Sequence, residues 1–93
     1  MATLFVRHDV KNFDRWKSGY DEARPIRDEG GVREHGIYQG VDDPNDVTVY
    51  HVFDSAEAAR EFISDPRLRE KMDEIGVTGE PQTWLTEEVE RGS

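Results

Sequence analysis

The feature that most constrains this chain is a repeated change of apolar period within 93 residues. "TLFVRHD", residues 3–9, alternates and is rich in β-formers, which predicts a strand. Residues 13–30, "FDRWKSGYDEARPIRDEG", change to helical spacing, with Phe13, Trp16, Tyr20 and Ala23 along one stripe. Asn12 is placed to cap that helix, Pro25 to kink or restart it, and Gly30-Gly31 to end it. "VREHGIYQGV" (32–41) and "VTVYHVFD" (47–54) read as two strands around "DDPND", where Pro44 fixes φ and Asx side chains bond the backbone. Ser55 caps "AEAAREFI", whose inward face is Ala58, Ala59, Phe62 and Ile63. Asp65-Pro66 opens a further helical segment with Leu68, Met72 and Ile75 inward, stopped by Gly76. After "VTGEP", residues 82–89 ("QTWLTEEV") supply a fourth strand, and "ERGS" is expected to fray.

The order is β-α-β-β-α-β. It predicts one α+β domain over residues 1–93: a ferredoxin-like, four-stranded antiparallel sheet with its helices on one face. Hydrophobic residues are 34% and charged residues 35%, so a single chain of this size has a thin core. The face of the sheet without helices is left bare. Packing it against a second copy gives a homodimer with a barrel-like centre; the alternative is a monomer with a polar open face.

Several functional classes fall away. With no cysteine there is no disulfide, thiolate metal site or cysteine nucleophile. No apolar run approaches the roughly 20 residues of a membrane span. No basic region precedes the short apolar run of "MATLFVRHDV", so a cytoplasmic chain is expected. A formal charge of −9 disfavours nucleic acid and anionic membranes. Lysine occurs only at Lys11, Lys17 and Lys71. Such an acidic, lysine-poor surface fits a salt-tolerant source, and equally an ordinary acidic protein.

The chemistry-bearing residues are the three histidines. If the "DDPND" turn centres near Asp43, facing residues have numbers summing to about 86, which sets His35 against His51, Ile37 against Val49 and Gln39 against Val47. Ile37, Val47, Val49 and Phe53 then share one face, and Tyr38, Thr48 and Tyr50 the other. His8 lies late in strand one and His51 late in strand three. In antiparallel neighbours that puts them towards opposite ends of the sheet, several residues apart at roughly 3.3 Å each. No HxH or HxxxH spacing supports a metal site.

Each imidazole has an ordinary reading as a satisfied core group. Yet two on an apolar face cost free energy unless paired. The functional reading is general-base catalysis, with His51 first, then His8, then His35. Trp16, Tyr38, Tyr50 and Phe53 are the candidate substrate contacts, although Trp16 and Tyr20 also suit the core.

"HDVKNFDRWKSGYDE", "IYQGVDDPNDVTVYHVFDSAEAAREFISDPRLREKM" and "GVTGEP" resemble the dimeric α/β-barrel superfamily, over nearly the whole chain. Within it the chain looks most similar to the small proteins labelled antibiotic-biosynthesis-monooxygenase-like or cyclase-like. The superfamily hosts cofactor-free monooxygenases, haem-degrading enzymes, polyketide cyclases and isomerases. The resemblance implies a homodimer with a small apolar pocket in each subunit. It also implies an enzyme without metal or organic cofactor, in which a histidine abstracts a proton from a small aromatic or polyketide-like molecule. The alternative is a non-catalytic small-molecule-binding or stress-associated dimer.

Overall fold

The computed structural model describes residues 1–93. Eight elements follow in order: β1 (Ala2–Val10), α1 (Phe13–Glu22), α2 (Arg24–Glu29), β2 (Glu34–Gln39), β3 (Asp46–Phe53), α3 (Ala56–Ile63), α4 (Pro66–Glu74) and β4 (Val77–Glu87). The strands form one antiparallel sheet in the order β2-β3-β1-β4, with the helices on one face. This is the expected ferredoxin-like α+β arrangement.

Local signals set most boundaries. The side chains of Asn12, Ser55 and Asp65 accept hydrogen bonds from the backbone N–H groups of Arg15, Ala58 and Arg67, capping α1, α3 and α4. The 13–30 helix divides at Ala23, and Pro25 falls in the first turn of α2, where its missing N–H costs nothing. The β2–β3 register is the expected one, with His35 opposite His51 and Ile37 opposite Val49.

The fourth strand differs from its sequence reading. It begins at Val77, so "VTGEP" belongs to it, and it ends at Glu87. Gly79 and Pro81 look like loop punctuation, but here they form a bulge. Arg7 pairs with Gln82 and Asp9 with Thr78, so Gly79, Glu80 and Pro81 stand opposite His8 alone. Gly79 takes a φ of 70°, a conformation that suits glycine.

Two apolar clusters fill the space between sheet and helices. One joins Val10, Trp16, Tyr20, Val47, Val49 and Ile75; the other joins Leu4, Phe53, Ala59 and Phe62. On the opposite face of the sheet, Phe5, Tyr38 and Trp84 are exposed, and the Tyr50 ring lies 6.2 Å from those of both Phe5 and Tyr38. Arg7 makes a two-pronged ion pair with Asp46 across β1 and β3, at 3.0 and 2.8 Å. No helix is long and apolar enough to cross a membrane.

Candidate functional site

Between the two apolar clusters lies a cavity of about 280 Å³. Strand alternation supplies its floor. Leu4, Val6 and His8 of β1 point to the helix side, as do Val49 and His51 of β3. The helical stripe of α1 and α2 supplies a wall through Trp16, Tyr20 and Arg27, and Phe62 and Met72 close the other side.

His51 is buried, and its Nε2 lies 2.7 Å from the Tyr20 hydroxyl oxygen. Its Nδ1 has no hydrogen-bond partner. Burial, then the Arg27 guanidinium, then His35 push its pKa down to about 3. Burial pushes the Tyr20 phenol up to about 12, against the pull of Arg27. Both groups are therefore neutral near pH 7. With the imidazole proton on Nδ1, the Tyr20 hydroxyl donates to Nε2; in the other tautomer Nε2–H donates to Tyr20 Oη and Nδ1 is a bare acceptor. The sequence ranks His51 first as a base, but the desolvation that makes the site apolar also makes this imidazole a weak one.

His8 is differently placed. Both of its ring nitrogens are buried without a partner, and its ring meets Trp16 edge-on at 5.6 Å. Burial lowers its pKa while the Asp9 carboxylate opposes the shift. Beside the β4 bulge, His8 borders both the cavity and a polar surface cleft containing Asp9, Asp46 and Glu80. In the sheet His8 pairs with Val47 and His51 with Leu4, four residues apart along β1, or roughly 13 Å. The expected separation is therefore present, yet one cavity spans it. Its wall is a relay of rings from His8 through Trp16 and Tyr20 to His51, with successive centroids 5.6, 5.0 and 6.0 Å apart.

The other candidates lie outside the cavity. His35 opposes His51 but is exposed on the edge strand β2, with its ring 5.6 Å from that of Tyr20. Tyr38 and Tyr50 are on the other face of the sheet, because alternation sends them away from the helices. Phe53 faces the helices but is sealed in the core against Phe62. Trp16 does line the cavity. The residue that sequence reading passed over is Arg27. Its guanidinium sits 3.8 Å above the Tyr20 ring and its Nη1 donates to the Tyr20 carbonyl oxygen. The signal for it was present, since Arg27 continues the 13, 16, 20, 23 stripe at the next helical step.

No protein-family model matches the sequence, and no curated protein matches it. Solved structures do match in shape. A Bordetella bronchiseptica protein designated an antibiotic biosynthesis monooxygenase is 14% identical, with 95% of this chain and 96% of that one covered and a TM-score of 0.80. SnoaB, a cofactor-independent oxygenase from Streptomyces nogalater, is 15% identical over 97% of this chain and 94% of its own, with a TM-score of 0.79. Rv0793 from Mycobacterium tuberculosis is 16% identical over 99% and 98%, with a TM-score of 0.70. The chain has the ferredoxin-like α+β fold of the antibiotic-biosynthesis-monooxygenase-like proteins.

Proposed function

We propose that this protein is a cofactor-independent enzyme of the monooxygenase or cyclase type that abstracts a proton from a small aromatic or polyketide-like molecule held in the cavity. The observation that carries this reading is His8. Its imidazole has two free nitrogens and stands between an apolar cavity and a polar cleft that opens to solvent. A base there can take a proton from an activated methylene and release it to the carboxylates of the cleft. In the oxygenase reaction the resulting carbanion gives one electron to dioxygen, and the radical pair joins as a peroxide. Loss of water leaves a carbonyl. One CH2 and one O2 thus become one C=O and one H2O. In a cyclase the same carbanion attacks a carbonyl carbon instead. His51, neutral and held by Tyr20, is placed to donate from Nδ1–H to a substrate oxygen.

The test is dioxygen uptake with a two-ring ketone bearing an activated methylene, such as 2-tetralone. His8→Gln is expected to lower kcat by roughly 10²–10⁴-fold with little change in KM. The wild-type rate should rise with pH until His8 has lost its proton, through a pKa below 6.5. A wild-type rate in His8→Gln would remove His8 from the mechanism. Ligand binding with no turnover by the wild type would favour the non-catalytic binding protein.

The homodimer belongs to the same reading. Phe5, Tyr38, Tyr50 and Trp84 form an aromatic patch on the sheet face that carries no helices, and a second copy is the occupant we assign to it. Sedimentation equilibrium is expected to give twice the 10.7 kDa chain mass. Trp84→Glu, which puts a carboxylate into that patch, should give the monomer. A wild-type monomer at micromolar concentration would contradict the assignment.

A further inference from the structure

Arg27 is a buried cation without an anion. It is 7% exposed, and one backbone carbonyl is the only protein acceptor for its five N–H donors. Most arginines in contact with water are arranged the other way. Arg7, Arg24, Arg33, Arg67, Arg69 and Arg91 each hold a carboxylate, while Arg15 and Arg60, which hold none, are exposed and solvated. The chain has 21 acidic residues against 12 basic ones, so carboxylates are not scarce. Asp21, Asp28 and Glu34 line the polar cleft on the outer side of Arg27, yet none ion-pairs with it. At the cavity mouth Lys71 is matched by Glu22 and Glu74, and Arg69 by Glu80. Arg27 alone brings unbalanced charge to the cavity. The Tyr20 ring beneath it offsets part of the burial cost through its π face. A buried charge otherwise calls for a partner.

We infer that the partner is the ligand: the cavity takes an aromatic carboxylate of about two rings, with its carboxylate on Arg27 and its ring body against Trp16 and Phe62. This deepens the reading of the cavity as an aromatic-ligand site and rests on it. Size agrees, because an apolar cavity of about 150 Å³ holds one benzene and this one is nearly twice that. Shape agrees as well, since the planar guanidinium fork matches a carboxylate with two parallel hydrogen bonds. The histidines do not compete for the anion, as both are neutral near pH 7. Arg27 thereby becomes the residue that selects acids over their neutral analogues.

The experiment compares 2-naphthoate with 2-naphthol by titration calorimetry at pH 7, where the first is ionised and the second is not. The wild type is expected to bind the acid roughly ten- to a hundredfold more tightly. Arg27→Gln should abolish that preference, with the loss falling on naphthoate far more than on naphthol. Arg27→Lys should keep part of it, having the charge without the fork. Equal affinities in the wild type, or a preference that survives in Arg27→Gln, would overturn the anion site while leaving the aromatic cavity standing. Binding of neither ligand to the wild type would overturn both. If Arg27→Gln does not fold by circular dichroism, the wild-type ratio and Arg27→Lys decide.

Discussion

Acidification from pH 6.5 to pH 3 is expected to remove about 4 kcal/mol of stability through His51 alone. The unfolded chain binds a proton on this imidazole near 6.5, whereas the folded protein does so only near 3. Between those values the unfolded state carries more protons, so stability rises with pH and falls as pH drops. The contribution is complete above 6.5 and is lost progressively below it. His51 is 6% exposed, so solvent screens little of the effect. Its surroundings reinforce the sign: Arg27 and His35 disfavour the imidazolium, and the nearest hydroxyl belongs to a phenol that stays neutral. His8 acts in the same direction, opposed by Asp9. The carboxylates of Asp46, Asp54 and Asp65 are held below their usual range by arginines, and their smaller contributions disappear at lower pH still. A small domain has about 5–15 kcal/mol in total, so acid unfolding is expected before pH 3 is reached. Urea unfolding at pH 7, 6, 5 and 4 reads this directly. His51→Gln, neutral throughout, should flatten the slope, and a wild-type stability constant from pH 7 to 4 would contradict it.

Trp16→Ala is expected to cost about 3–5 kcal/mol, which is enough to unfold much of the population of a domain this size. Trp16 is among the largest fully buried side chains, at 2% exposure. It touches the rings of Phe13, Tyr20 and His8, so its loss both empties core volume and removes the wall between the two histidines. The neighbouring cavity offers its own empty space rather than atoms that could move in, so collapse will not recover the lost contacts. A denaturant midpoint within experimental error of the wild type would show that Trp16 serves the ligand rather than the core. Trp16→Phe keeps a ring in place and should restore most of the stability, which separates the packing effect from the indole itself.

Much of this architecture was legible in the chain. The two-residue period and the "DDPND" turn assigned Ile37, Val47, Val49 and Phe53 to one face and placed His35 against His51. Both are local properties: alternation follows from the pleat, and register follows from turn length. The same pattern assigned Tyr38 and Tyr50 to the far face, and the structure keeps them there, so these two candidate contacts fall outside the cavity. Caps and prolines ended the helices through bonds that span only a few residues. What the tertiary structure alone decided are relations between distant segments. One is that β4 extends back to Val77, because pairing with β1 absorbs Gly79 and Pro81 as a bulge opposite His8. Another is that His8 and His51, far apart along the strands, share one cavity because α1 lays Trp16 and Tyr20 across the gap. The last is that Arg27 is buried without a carboxylate. Periodicity states which way a side chain points. Whether it meets a partner there depends on how helices and sheet settle against each other, and that distance is not encoded in any local run of residues.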